Sequence, residues 1–184
     1  SVNKTTTLTD IPITTTSSLT AVPNLRTELE NYIGNLHNSY KNHFRAFINE
    51  FETTNVNGYK VKITSGYRTF AEQASLKLSN SQNASAGHST HNYGLAIDLN
   101  IVHNGVEVAI KSSSDDIWLN TGIITIAQKY GLTWGGDSFN GYSDRVHFGL
   151  DKTFDTNILL ALCRDQFGVN NDLIKGNQVK FIGV

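Results

Sequence analysis

The chain has 184 residues, 39% hydrophobic and 17% charged, with a formal net charge of -1. That length suits one domain with tails, and the composition supports a real core. The charges are interleaved and form no basic stripe for a phosphate backbone, which argues against nucleic acid. No apolar run approaches the ~20 residues a membrane span requires, and the polar N-terminus shows no signal peptide. Cys163 is the single cysteine, so no disulfide can close within the chain.

Residues 1–22 are mostly Ser, Thr and small polar side chains and are expected to form an extended arm or linker. From 25 to 51 apolar residues recur every three or four positions, which predicts one long amphipathic helix, weakened or bent at Gly34. His37 and His43 are six apart on it, off a common face, so they are expected at the surface or rim and not as a ligand pair. The alternation over 59–64 predicts a strand. A turn over 65–69 follows, and Thr69 with Glu72 forms a capping box for a short helix over 70–78. A polar loop over 79–87 leads to a second strand over 95–102. Leu95, Ile97 and Leu99 share one of its faces, and Ala96, Asp98 and Asn100 the other.

Asn104-Gly105 is hairpin chemistry, returning the chain over 106–110. A loop over 112–115 ends in an expected N-cap at Asp115, and a helix over 116–130 is capped by Gly131. Then come a short apolar segment over 132–134, a Gly135-Gly136-Asp137 turn, a strand over 145–150 and a helix over 157–167. Residues 178–184 form an edge strand or a tail. Helices and antiparallel strands without βαβ rhythm make the class α+β, a small antiparallel sheet with flanking helices.

The chemistry concentrates in two places. His91 precedes Asp98 by seven residues, and Asp144 precedes His147 by three. Two imidazoles and two carboxylates suffice for a mononuclear metal site with three protein ligands, an open position and a separate base. Residues seven apart on an ideal strand face opposite ways, so His91 must fold back, with Gly94 permitting the bend. Ala96, beside Asp98 on its face, leaves room for an ion and its water. Asp144 and His147 would also diverge on one strand. Asp144 is therefore expected on the loop entering the strand, near the water, and His147 on the strand as a ligand. A carboxylate so placed can take the water's proton and pass it to a leaving amine. Arg68, in the turn after the first strand, is the best candidate to face a developing oxyanion.

Four ordered motifs carry a resemblance: Ser65-Gly66-Tyr67-Arg68-Thr69 with Gln73; Ser89-x-His91-x-x-Gly94-x-Ala96-x-Asp98; Trp134-Gly135-Gly136-Asp137; and Asp144-x-x-His147-Phe148. They resemble the D-Ala-D-Ala carboxypeptidase family of zinc peptidases. That family takes in VanY-type carboxypeptidases, vancomycin-resistance dipeptidases and phage L-alanyl-D-glutamate endopeptidases, with a core shared by lysostaphin-type enzymes and the hedgehog domain. The resemblance covers about residues 58–150. It implies one Zn2+ per chain on His91, Asp98 and His147, Asp144 as general base, Arg68 on the oxyanion or substrate, and Ser89 and Gln73 lining the substrate site. Asp at 144 looks like the phage endopeptidase branch, where the vancomycin-related dipeptidases carry Glu. Asp has one methylene less, so the base must sit closer or act through a shifted water.

The expected organisation is an arm over 1–22, a peptidase domain over 23–155, and a C-terminal helix and tail over 156–184 packed on it. The expected function is hydrolysis of peptidoglycan stem peptides at the L-Ala-D-Glu bond. The alternatives are a D-Ala-D-Ala carboxypeptidase and a metal-bearing wall or protein binding module without catalysis. Such a protein would act in the bacterial cell wall or periplasm. Without a visible signal, a holin, a phage particle or a secretion machine would have to deliver it, unless a signal has been trimmed away.

Overall fold

The computed structural model describes residues 22–137 and 143–181. Nearly all of the expected N-terminal arm, and the last three residues of the expected tail, lie outside them. Among the described residues, α1 (Thr27–Ile33) and α2 (Lys41–Thr54) precede β1 (Lys60–Ser65) and α3 (Phe70–Ser79). A 3₁₀ turn (Thr90–Tyr93) leads into β2 (Ala96–His103) and β3 (Val106–Ala109). Then follow α4 (Asp115–Asn120), α5 (Ile123–Lys129), β4 (Thr133–Trp134), β5 (His147–Gly149), α6 (Thr156–Phe167) and a second 3₁₀ turn (Gly176–Gln178). Among the described residues, none of the helices is long and apolar enough to cross a membrane.

β2 is the axis of an antiparallel sheet. β1 runs along one edge of it, from Lys60 opposite Val102 to Ser65 opposite Asp98. The other edge is shared: β5 pairs with 96–98, β3 with 101–103, and β4 lies outside β5. The register sets Asp98 directly opposite His147 and Ala96 opposite Gly149. The alternation read from the sequence holds, since Leu95, Ile97, Leu99 and Ile101 are fully buried. They join one core with Phe44, Phe47 and Phe51 of α2, Ile123 and Ala127 of α5, and Leu159 and Cys163 of α6. The opposite face carries Asp98 and, across the ladder, His147. The Asn104-Gly105 turn has positive φ at both residues, 51° and 78°, as a type I′ hairpin requires. The Thr69–Glu72 capping box forms in both directions.

Two expected helices are interrupted. The one over 25–51 breaks between Ile33 and Lys41, and Gly34 caps its first half. The break brings the backbone of Leu36 and His37 against Gly94, and His37 N–H donates to the Gly94 carbonyl at 2.9 Å. His37 is consequently buried and not at the rim. Its Nε2 lies 2.7 Å from the Val179 carbonyl, and its ring stacks on Phe181. The helix over 116–130 breaks at Thr121 and Gly122, where Gly122 takes φ 80°. The cap of α4 is Ser114 and not Asp115, because the Ser114 hydroxyl accepts from Ile117 N–H. The described part of the C-terminal segment forms the second 3₁₀ turn and no strand.

Gly94 fixes the return path of the 3₁₀ turn. It sits in the left-handed region at φ 64°, ψ 31°, and a Cβ there would meet His37 N at 2.5 Å and Leu36 C at 2.9 Å. Gly94→Ala adds a left-handed penalty to a backbone clash, together about 2–4 kcal/mol. Thermal denaturation of this variant is expected to show a Tm loss on the order of 10 °C.

Candidate functional site

Three side chains from three separate segments meet beside β2. Asp98 comes from the strand itself, His147 from β5 opposite it, and His91 from the 3₁₀ turn that folds back over the sheet. His91 Nε2 lies 3.1 Å from Asp98 Oδ1 and 3.2 Å from His147 Nδ1, and His147 Nδ1 lies 3.4 Å from Asp98 Oδ1. A tetrahedral ion with bonds of ~2.0–2.1 Å separates its ligand atoms by about 3.3 Å. The triangle has that size, and the three residues form a group able to hold a metal ion.

The outward nitrogens decide which atoms face inward. His91 Nδ1 lies 2.8 Å from the Gly66 carbonyl, and His147 Nε2 lies 2.7 Å from Asp151 Oδ2. A carbonyl and a carboxylate both accept, so each outward nitrogen carries a proton and each inward nitrogen is the one that can offer a lone pair to a cation. Two such lone pairs and a carboxylate oxygen repel at this spacing unless positive charge lies among them. Burial opposes charge on His147, yet Asp151 and Asp98 push its pKa up to about 10. Burial likewise opposes charge on Asp98, but the two imidazoles hold its carboxyl well below the usual range. The surroundings favour a cation at this point.

Asp151 was not foreseen from the sequence. Its other oxygen accepts from the Thr90 hydroxyl at 2.8 Å, so it ties the His147 strand to the His91 turn. A Cβ on Gly149 would lie 2.6 Å from Asp151 Oδ2 and 2.8 Å from the Ala96 Cβ. The room that Ala96 was expected to leave for an ion and its water thus admits this carboxylate. The available signal was a carboxylate four residues past a candidate histidine, with a glycine between. Asn92, fully buried, was missed too. Its carbonyl accepts from Gly87 N–H and Ser89 N–H, and its amide donates to the Arg68 and Thr69 carbonyls.

Arg68 adjoins the triangle through Asp98, with Nη2 3.8 Å from the outer carboxylate oxygen. Nη1 donates to Gln73 Oε1 and Nη2 to Ser65 Oγ, both at 3.0 Å. Gln73, expected on the substrate, is 2% exposed. Its amide donates to the Ala84 carbonyl while its oxygen holds Arg68. Ser89, also expected there, caps the 3₁₀ turn by accepting from His91 N–H. Asp144 lies on the turn into β5, outside the strand. Its N–H donates to the Gly135 carbonyl, and its own carbonyl accepts from His147 N–H. The Trp134 ring covers Gly136 so closely that a Cβ would meet it at 2.1 Å, and its indole N–H donates to the Arg145 carbonyl. Trp134 is therefore a buried clamp on the turn that carries Asp144. Asp144 Oδ1 is buried with no hydrogen-bond partner among the described residues, and Lys111 Nζ is 3.8 Å away.

Residues 82–150 match the family model for D-alanyl-D-alanine carboxypeptidase. That match spans less than half of the chain, and over it the chain is similar to the peptidases of this family. The segment holds all three clustered side chains and Asp144. The fold is also similar to that of the L-Ala D-Glu endopeptidase ChiX of Serratia marcescens. That match has 20% identity and a TM-score of 0.50, and covers 71% of this chain and 91% of that one.

Removing the Asp151 carboxylate would loosen the His147 ring and lower its basicity as a ligand. Asp151→Asn is expected to weaken divalent-cation binding about 10–100-fold, read by competition against a chromogenic chelator.

Proposed function

We propose that the protein is a zinc-dependent peptidoglycan peptidase that hydrolyses the L-Ala–D-Glu bond of the stem peptide. The observation that carries the metal assignment is the triangle of inward lone pairs at 3.1–3.4 Å, sized for a tetrahedral ion. His91, Asp98 and His147 would hold one Zn2+, leaving a fourth position open. The choice of bond draws on the fold likeness to an L-Ala D-Glu endopeptidase and on Asp, rather than Glu, at 144. A second reading, removal of a terminal D-Ala, is favoured by the description of the family matched over 82–150.

Zinc in this position supplies Lewis acidity, polarising the scissile carbonyl and lowering the pKa of water toward ~7. The chain's own residues do the rest. Asp144 takes a proton from the water as its oxygen attacks the carbonyl carbon, then gives that proton to the amine nitrogen as the C–N bond breaks. A buried carboxylate oxygen with no hydrogen-bond partner, and only the more distant Lys111 ammonium beside it, is suited to this. Arg68 faces the developing oxyanion or a substrate carboxylate. Gln73 and Ser65 take one each of its five N–H donors and fix the plane of the rest. Gln73 and Ser89 act through what they hold, Gln73 orienting Arg68 and Ser89 the His91 turn. The place of action is the cell wall or periplasm, reached through a holin, a phage particle, a secretion machine or a signal.

Digesting purified wall material and weighing the products separates the readings. A freed N-terminal D-Glu supports the endopeptidase. Loss of a single D-Ala replaces it with the carboxypeptidase, and no product from zinc-loaded protein leaves a binding module. Asp144→Ala is expected to lower turnover by about 10²–10⁴-fold with zinc still near one per chain; zinc loss in this variant would move Asp144 among the ligands. His91→Ala is expected to lose both metal and activity, and a metal-free, active variant would overturn the mechanism.

A further inference from the structure

A recess of about 670 Å³ adjoins the triangle on the Arg68 side, within the ~300–1,000 Å³ usual for small-molecule sites. Its walls are Asn31 and Tyr32 of α1 and Ser75 and Leu76 of α3, and its floor is 64–68. The floor is shared with the site. The Gly66 carbonyl holds His91, and Arg68, at the inner end of the recess, stands 3.8 Å from Asp98. Of the charged groups lining the recess, Arg68 is turned toward Asp98, Ser65 and Gln73, while the Glu72 carboxylate accepts from Thr69 N–H as part of the α3 cap. The outer part therefore offers polar side chains and the exposed Glu72 carboxylate beside the Tyr32 ring, 36% exposed. The Asn31 amide and the Ser75 hydroxyl have no internal partner among the described residues.

We propose that this recess is a saccharide subsite, taking the N-acetylated amino sugar to which the stem peptide is joined. The inference rests on the peptidoglycan reading above. A pyranose has one face of C–H groups, which pack on the negative face of an aromatic ring. Its rim of hydroxyl and acetamido groups both donates and accepts, which suits an amide and a hydroxyl. A stem peptide lying outward would bring further carboxylates, which the Glu72 carboxylate on the lining repels. The order along the substrate also matches the order along the protein: sugar in the recess, L-Ala past Arg68, and the bond beyond it at the triangle. α1 supplies one wall, which gives a role to a helix outside the four motifs.

The test is an amide-shift titration of zinc-loaded Asp144→Asn protein with two probes, N-acetylmuramyl-L-Ala-D-isoglutamine and the same N-acetylated dipeptide without its sugar. The expected result is shifts over 31–35, 64–68 and 72–76 with the sugar-bearing probe alone, and at least tenfold weaker binding of that probe in Tyr32→Ala than in Tyr32→Phe. Equal shifts from both probes, shifts confined to other segments, or none at millimolar probe would overturn the subsite. Wall digestion by the wild-type protein is read separately. Digestion without the sugar-dependent shifts removes the subsite and leaves the peptidase. The shifts without digestion remove the peptidase and leave a saccharide-binding recess.

Discussion

The structure turns on holding two imidazole nitrogens and a carboxylate oxygen, all directed inward, within 3.1–3.4 Å of one another. That arrangement is unfavourable without a positive charge, so the fold must hold each group from behind. Asp98 and His147 are set by sheet register, the most rigid device available, because the two residues are directly opposed across one antiparallel ladder. His91 has no such ladder. Its backbone carbonyl accepts from Arg68 N–H, its ring donates to Gly66, and its turn is closed by Ser89, Asn92 and Gly94. One of the three clustered groups thus depends on loop contacts, and much of the surrounding chain serves to hold that loop.

This accounts for the segments outside the four motifs. The break between α1 and α2 looks like a defect in a long amphipathic helix, but it is where Gly94 docks against Leu36 and His37. The C-terminal segment closes the same turn from another side. Gly176 lies so close to Asn92 that a Cβ would meet its carbonyl oxygen at 1.9 Å, and the Val179 carbonyl engages His37. The two ends of the described chain therefore converge on the turn carrying His91. Asp151 works in the same direction from within β5's own segment, linking His147 to Thr90, the neighbour of His91.

What could be read from the sequence follows the range of the physics involved. Alternation on β2 gave the face of Asp98, the Asn104-Gly105 dipeptide gave its hairpin, and Thr69 with Glu72 gave the start of α3. Each is a rule acting over a few residues. The placement of Asp144 before the strand and His147 on it also followed from local geometry, since residues three apart cannot share a strand face. The helix breaks were less legible because apolar periodicity persists across them. Leu36, within the first break, and Trp118, just ahead of the second, are buried like the helix residues around them. Gln73 and Ser89 were expected to line the substrate site, and the structure adds contacts that a motif does not carry: Gln73 to Arg68 and Ser89 to the His91 backbone. Asp151 and Asn92 depend on pairings between segments distant in sequence, which no short-range pattern carries.

The electrostatics connect the centre to its surroundings. Two carboxylates, Asp98 and Asp151, stand around two buried imidazoles, with Arg68 on the outer oxygen of Asp98. If Arg68 faced the inner oxygen, it would neutralise the charge that attracts a cation. By engaging the outer oxygen, it fixes the carboxylate's rotation while leaving Oδ1 to the triangle. Gln73 and Ser65 keep the guanidinium in that position, and their neutrality matters, because an acid at either site would draw Arg68 away from Asp98. The same contact leaves Arg68 at the border between the triangle and the recess, where one cation orients the Asp98 carboxylate and also lines the recess.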